Sequence, residues 1–127
     1  MSTKAVFLDR DGVINEEVGY LHKIKDFQFI HGVFDSCNHF LSLGYQIVIV
    51  TNQSGIARGI YQKNDFHIVN NWMLKRFLQE GVKILDVLFC PHGPENNCFC
   101  RNSFVTQHFN FFNIFGIRGF KIKTYKK

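Results

Sequence analysis

The sequence lacks the features that would place it in or across a membrane. No run approaches the roughly 18 consecutive apolar residues that a membrane span needs. The N-terminus also lacks the basic and then apolar pattern of a signal peptide. We therefore expect a soluble, cytoplasmic protein with no membrane partner. At 127 residues, the chain is long enough to bury a hydrophobic core as one domain.

Acidic residues are absent from residues 102–127, although this segment is basic and rich in phenylalanine. The net charge of +5 comes entirely from its lysines and arginine, because the charges of residues 1–101 balance. We interpret 102–127 as an atypical tail that is not shaped to the preceding domain, such as a segment read out of frame from a longer gene. An aromatic cap over a sheet face is the alternative. Because the basic charge is confined to the chain end, we expect no nucleic-acid partner.

Residues 1–101 alternate between short apolar runs and helical patterns. The predicted strands are Ala5–Leu8, Tyr45–Val50 and Ile84–Phe89. The first predicted helix runs from about Gly32 to Leu43, and Gly44 is placed to end it in a left-handed conformation. The second runs from an N-cap at Asn64 to Gly81. Strands that alternate with helices imply right-handed crossovers and a parallel sheet, and therefore an α/β fold.

Two carboxylates follow the first predicted strand. Asp9 and Asp11 stand one residue apart and are followed by Gly12. Ligands bind at the carboxyl edge of such sheets, so both side chains can face one site there. One carboxylate could attack a phosphorus atom while the other transfers the proton, with Mg²⁺ reducing the repulsion between them. Asp9 is the better nucleophile because it is the first to leave the strand.

A second polar loop follows the second predicted strand. It contains Thr51, Asn52, Gln53 and Ser54, and then glycine. Hydroxyl, amide and backbone N–H groups make a donor-rich cradle for phosphate oxygens, and Arg58 adds a planar cation suited to phosphate. Because this loop and the paired aspartates follow different strands of one sheet, they converge on the same edge.

The third constellation consists of cysteines and one histidine. Cys90, His92, Cys98 and Cys100 supply three thiolates and one imidazole, which complete a closed tetrahedral zinc site. We predict a structural zinc that fixes this loop and holds Arg101 toward the site. A reduced, metal-free loop is the alternative.

Together the three motifs resemble the haloacid-dehalogenase-type phosphatases. More narrowly, residues 1–101 are similar to heptose-bisphosphate phosphatases and to the related histidinol-phosphate phosphatases. The resemblance implies a Rossmann-like parallel sheet with flanking helices and a zinc-stabilised loop. It also implies Mg²⁺-dependent hydrolysis of a small phosphorylated substrate through an aspartyl phosphate. The domain would comprise residues 1–101, in a monomer, with the C-terminal part of the family fold missing.

The resemblance also implies a role for each matching residue. Asp9 would be the nucleophile and Asp11 the acid and base, and both would be Mg²⁺ ligands. The substrate-binding residues would be Arg10, Glu17, Val18, Gly19, Tyr20, Thr51, Asn52, Gln53, Ser54, Arg58 and Arg101. The zinc ligands would be Cys90, His92, Cys98 and Cys100.

Two family elements have no counterpart after residue 101. The family has a lysine where this chain has Asn102 to Val105, and a later carboxylate that binds Mg²⁺. Their loss would remove electrostatic stabilisation of the transferring phosphoryl group. We therefore expect impaired hydrolysis of heptose 1,7-bisphosphate to heptose 1-phosphate. A histidinol-phosphate phosphatase and an inactive zinc- and phosphate-binding remnant remain the alternatives.

Overall fold

The structure is a computed structural model. It describes the backbone of residues 3–93, 112–118 and 121–125, and the side chains of residues 5–93. The strands are β1 (Thr3–Asp9), β2 (Tyr45–Asn52), β3 (Asp86–Cys90), β4 (Phe112–Arg118) and β5 (Lys121–Tyr125). The helices are α1 (Val33–Ser42), α2 (Ser54–Ala57) and α3 (Lys63–Gln79), and a short 3-10 turn spans Ile24–Asp26.

The strands form one sheet in the order β3-β2-β1-β4-β5. The strands β1, β2 and β3 pair in parallel, as the alternation of strands and helices predicts. The strand β4 also pairs in parallel with β1, and β5 returns antiparallel to β4. The Rossmann-like parallel sheet with flanking helices is therefore confirmed for the first three strands.

The strands β4 and β5 lie within residues 102–127, which the sequence analysis interprets as an atypical tail. The phenylalanines of this segment show no clean alternation that would have indicated a strand. However, parallel strands often read as near-continuous apolar runs, so a missing period of two does not exclude them. The run Phe111 to Ile117 is of this kind, and Phe112–Arg118 pairs with β1.

Both faces of β1 and β2 carry buried apolar residues. Val6, Leu8, Ile47 and Ile49 belong to the main core, together with residues of α1 and α3 such as Met73. The alternate positions Ala5, Phe7 and Val48 form a second buried cluster on the other face. Burial on both faces explains why β2 is almost continuously apolar.

Helix boundaries differ in detail from the predicted ones. Gly44 has a φ of 88°, which is the left-handed conformation predicted for the end of α1. In contrast, α3 is capped by Gln62 and not by Asn64. The Gln62 side chain and the Asp65 side chain each bond the other residue's backbone N–H in a capping box. Asn64 thus falls within the first turn of the helix.

The described helices include none that is long and apolar enough to span a membrane.

Candidate active site

The segment after β1 forms a tight turn that projects Asp11. The carbonyl oxygen of Arg10 accepts hydrogen bonds from the N–H groups of Ile14 at 2.8 Å and of Asn15 at 3.2 Å. Gly12 has a φ of 89° and donates its N–H to the Asn15 carbonyl at 2.8 Å. Glycine adopts this backbone conformation without the steric cost that a side chain would add. Because β1 ends at Asp9, this turn and not strand alternation sets the direction of Asp11.

Asp11 accepts hydrogen bonds from four side chains. Its Oδ1 receives Arg10 Nη2 at 3.0 Å and Asn15 Nδ2 at 3.1 Å. Its Oδ2 lies 3.5 Å from both Thr51 Oγ1 and Gln53 Nε2. The segment of the paired aspartates therefore meets the Thr51 loop at Asp11, as the sequence analysis predicts.

Arg10 lies behind Asp11 and does not line the cavity described below. Its side chain is only 1% exposed, and Nη2 also donates to the carbonyl of Leu21 at 3.3 Å. The guanidinium carbon sits 5.9 Å from the centre of the Phe66 ring, within the range of a cation–π contact. The described donors of Arg10 thus face the protein, and the predicted contact of Arg10 with substrate stays a prediction.

Gln53 connects the Thr51 loop to a tyrosine that the sequence analysis did not select. Gln53 Nε2 donates to Thr51 Oγ1 at 2.8 Å, while the hydroxyl of Tyr61 donates to Gln53 Oε1. Both Gln53 and Tyr61 are buried. Burial raises the pKa of Tyr61 to about 12, with the Arg10 charge acting in the opposite direction. The hydroxyl therefore keeps its proton, and remains a donor, throughout the neutral range.

The ring of Tyr61 packs against Gly55 and His22. A Cβ added at Gly55 would lie 2.2 Å from Tyr61 Cε1 and 2.9 Å from Tyr20 Cδ1, so only glycine fits there. The rings of His22 and Tyr61 stack with a centroid distance of 5.0 Å. His22 Nδ1 donates to the carbonyl of Tyr20 at 2.7 Å, and Tyr20 itself has a positive φ of 50°. Such strained backbone is found preferentially at functional sites.

A cavity of about 310 Å³ opens at this edge of the sheet. Its lining consists of Asp11, Glu17, Gly19, Tyr20, Leu21, Asn52, Gln53, Ser54 and Tyr61. Most of the predicted substrate-binding residues are thus brought together around one space. Thr51 is buried just behind Gln53, with its hydroxyl directed to Asp11.

Three predicted residues occupy other positions. Asp9 is the last residue of β1, aligned with Val50 of β2, and does not line this cavity. Arg58 is exposed at the end of α2 and Val18 is 54% exposed, and neither lines the cavity. The substrate-binding roles of Arg58 and Val18 therefore stay predictions, without support from the lining of this cavity.

The predicted zinc ligands are only partly described. Cys90 Sγ and His92 Nδ1 lie 3.7 Å apart, so two of the four candidate ligands are neighbours. Cys98, Cys100 and Arg101 lie outside the described residues. Among the residues that the structure describes, no three His, Cys, Asp or Glu side chains are grouped to hold a metal ion. The backbone N–H of Gln53 bonds the Cys90 carbonyl at 2.7 Å, which joins this segment to the Thr51 loop.

Asn15 and Tyr61 are the polar residues of the site that the sequence analysis did not select. Asn15 follows Asp11 by four residues and comes directly after the apolar pair Val13 and Ile14. This polar position in a loop is the signal that could have identified it. Tyr61 lies between two predicted elements, and nothing in the local sequence marks its contact with Gln53. Only the packing of the loop after α2 against the sheet edge brings Tyr61 there.

Solved structures share this fold. The D,D-heptose 1.7-bisphosphate phosphatase from B. bronchiseptica, complexed with magnesium and phosphate, matches with a TM-score of 0.75 and 25% identity. The match covers 84% of this chain and 64% of that one. The D,D-heptose 1,7-bisphosphate phosphatase from Burkholderia thailandensis matches 87% of this chain and 64% of its own, with a TM-score of 0.61 and 26% identity. The fold is that of the haloacid-dehalogenase-type phosphatases.

Curated relatives of similar sequence belong to one narrower group within this class of phosphatases. The D-glycero-alpha-D-manno-heptose-1,7-bisphosphate 7-phosphatase of Campylobacter jejuni is 50% identical over 101 residues, 80% of this chain and 58% of the relative. The D-glycero-beta-D-manno-heptose-1,7-bisphosphate 7-phosphatase of Helicobacter pylori is 44% identical over 101 residues, 79% of this chain and 58% of its own. The chain is therefore homologous to the heptose-bisphosphate 7-phosphatases, and it spans about 58% of the length of these two relatives. No family model matches the chain.

Proposed function

We propose that this chain carries the phosphate-ester hydrolysis site of a heptose-bisphosphate phosphatase. The observation that carries the proposal is the position of Asp11, which is held by Arg10, Asn15, Thr51 and Gln53 beside a cavity of about 310 Å³. The cavity is of a size for a small phosphorylated sugar. The names of the relatives favour heptose 1,7-bisphosphate over histidinol phosphate as the substrate.

The proposed reaction has two displacements at phosphorus. A carboxylate oxygen of Asp9 attacks the phosphorus, the ester P–O bond breaks, and Asp11 gives its proton to the leaving alkoxide. In the second step Asp11 takes a proton from water, whose oxygen attacks the phosphorus of the aspartyl phosphate. Inorganic phosphate then leaves and the Asp9 carboxylate is regenerated. The side chains of Asn52 and Ser54 are the cavity donors suited to the phosphoryl oxygens.

The donor set at the end of β1 fits a magnesium ion. Mg²⁺ prefers hard oxygen ligands and is held by few protein carboxylates, and Asp9 and Asp11 are carboxylates only one residue apart. The carboxylate of Asp9 and the backbone carbonyl of Asp11 would hold the ion. When bound, it would reduce the repulsion between the anionic phosphate and the carboxylates. The magnesium and phosphate in the solved B. bronchiseptica enzyme support this proposal.

A structural zinc completes the proposal. Cys90 and His92 are close enough to share one ion, and Cys98 and Cys100 would supply the remaining ligands. The ion would stabilise the loop that follows β3 and hold Arg101 toward the substrate.

We also propose that the substrate is bound by three residues of the cavity wall, Glu17, Gly19 and Tyr20.

We further propose that activity is reduced in this chain. Residues 102–127 contain no acidic side chain to add to the Mg²⁺ ligands. Loss of one transition-state stabilising group commonly lowers kcat by ~10²–10³. The alternative is a non-catalytic zinc- and phosphate-binding protein, which the same absence favours.

Phosphate release with Mg²⁺ tests the proposal. Heptose 1,7-bisphosphate and histidinol phosphate are each offered to the chain and to its Asp9→Asn variant, with Asp35→Asn on α1 as a matched control. We expect slow release from the heptose ester, abolished in Asp9→Asn and unchanged in Asp35→Asn. Equal background rates in all three proteins would favour the non-catalytic alternative. A preference for histidinol phosphate would overturn the substrate assignment.

A further inference from the structure

We propose that Tyr61 is a positioning residue, which orients the side chain of Gln53 so that its amide N–H groups face Thr51 and Asp11. The proposal rests on the proposed function, because it assigns Tyr61 to the same site. The side-chain amide of Gln53 makes hydrogen bonds at both ends. Its Oε1 accepts from Tyr61, while its Nε2 donates to Thr51 Oγ1 at 2.8 Å and lies 3.5 Å from Asp11 Oδ2.

The two ends of the Gln53 amide are nearly equal in shape but opposite in hydrogen bonding. If the amide turned over, Oε1 would face the carboxylate oxygen of Asp11, and two acceptors would oppose each other. The hydroxyl of Thr51 would then donate to Gln53 and release Asp11. The Asp11 carboxylate can only accept, so it favours the orientation in which Nε2 faces it. The Tyr61 hydroxyl donates to Oε1 in that orientation and thereby holds the amide in place.

The surroundings of Tyr61 fix its hydroxyl in place. Tyr61 is 6% exposed and stacks on His22, and its ring occupies the space that a Cβ at Gly55 would need. The following residue, Gln62, caps α3, and its N–H donates to Asp65 Oδ2 at 2.8 Å. The start of a long helix therefore anchors the backbone of Tyr61. A rigid support of this kind is what alignment of a catalytic group requires.

The kinetic test removes only the hydroxyl. We expect Tyr61→Phe to lower kcat about tenfold, the loss that corresponds to one hydrogen bond, and to leave KM nearly unchanged. Tyr45→Phe is the matched control, because Tyr45 begins β2 at the opposite end of the strand from Thr51. Its kcat should equal that of the wild type. A rise in KM at constant kcat would instead show direct substrate contact and overturn the proposal.

A double-mutant cycle tests whether Tyr61 acts through Gln53. Gln53→Ala and the double variant Gln53→Ala/Tyr61→Phe should have equal kcat, because the hydroxyl has no amide left to orient. Additive losses would overturn the proposal, since Tyr61 would then act independently of Gln53. Thermal melting of each variant separates this coupling from a general loss of stability.

A second measurement does not depend on activity. In the NMR spectrum, the two side-chain amide protons of Gln53 should be protected from solvent exchange in the wild type and in Tyr45→Phe. In Tyr61→Phe they should shift and exchange at least tenfold faster. If the wild type releases no phosphate, the proposed function fails while this measurement still decides the role of Tyr61. Unchanged Gln53 signals in Tyr61→Phe would overturn the positioning role, whether or not the chain is active.

Discussion

Arg10 and Asp11 form an ion pair although they are consecutive residues, with Arg10 Nη2 at 3.0 Å from Asp11 Oδ1. The arginine is 1% exposed and the aspartate 27%, so the cation lies on the protein side of the pair and the carboxylate on the solvent side. This geometry is possible because the tight turn that begins at Arg10 lets the two side chains lie together. The pair holds Asp11 at the cavity while burying the charge that balances it.

Replacement of Arg10 should damage both stability and the site. Arg10→Met keeps much of the side-chain volume but leaves Asp11 without its cation and the Leu21 carbonyl without its donor. We expect a loss of about 2–3 kcal/mol in the free energy of unfolding, because one partner of a largely buried pair is removed. Urea unfolding measures it, and Arg58→Met, at an exposed arginine, should change stability by less than about 0.5 kcal/mol. Equal stabilities of the two variants would contradict the structural role of Arg10.

Gly55→Ala should disturb the site through Tyr61. The added methyl group would meet the Tyr61 ring at 2.2 Å, so the ring must move. We expect a cost of about 1–3 kcal/mol and a lower rate of phosphate release. At Gly44 a Cβ meets nothing within 4 Å, and only the positive φ of 88° opposes a side chain. Gly44→Ala should therefore cost about 1 kcal/mol and leave the rate unchanged. A Gly55→Ala enzyme with the wild-type rate of phosphate release would show that the packing of Tyr61 does not matter.

Stability should fall in alkaline solution. Burial raises the pKa of the Cys37 thiol from 9.0 to about 12, and burial likewise raises the pKa of Tyr61 from 10.0 to about 12. Both groups stay protonated to higher pH in the folded chain than in the unfolded chain. Their stabilisation is therefore complete below about pH 9 and is lost as the pH rises from 9 to 12, on the order of 1 kcal/mol per pH unit.

Unfolding at a series of pH values measures this dependence. Cys37→Ala and Tyr61→Phe should each show a shallower decline above pH 9 than the wild type, whatever their stability at pH 7. An identical slope in all three proteins would exclude these two groups as the cause.

The zinc proposal predicts a measurable metal content. The purified chain should contain about one zinc ion, because three thiolates and one imidazole make a closed site. Cys98→Ser should lose most of this zinc and melt at a lower temperature. Cys37→Ser is the matched control, since Cys37 is buried in α1 and is not one of the proposed zinc ligands, and this variant should retain its zinc. Absence of zinc from the wild type, purified without chelators, would contradict the proposal.

Much of the fold was predictable because short stretches of the sequence show which residues form strands and where a helix ends. The apolar runs identified β1, β2 and β3, and Gly44 identified the end of α1. The predicted N-cap of α3 was wrong because glutamine is a weaker capping residue than asparagine. Gln62 nevertheless caps the helix, because its side chain and that of Asp65 each accept a hydrogen bond from the other residue's backbone N–H. The strands β4 and β5 were not predicted, because their residues show no clean apolar pattern and the sequence does not reveal their pairing partners.

The candidate site was predictable to a similar extent. Asp11 and Gln53 were selected because their positions at the ends of neighbouring strands require them to meet. The burial of Arg10 against Asp11 was not predictable, because sequence spacing gives no information on the direction in which a long side chain turns. The roles of Asp9, and of the candidate zinc ligands, stay predictions.

The sequence alone determined the order of β1, α1, β2, α3 and β3, the family resemblance and the edge at which the polar residues collect. These properties depend on short-range patterns, which a linear chain displays directly. The tertiary structure decided that Arg10 is a buried support for Asp11 and that Tyr61 reaches Gln53 across the loop after α2. Both outcomes depend on which side chains are excluded from water, and that exclusion arises only when distant segments pack together.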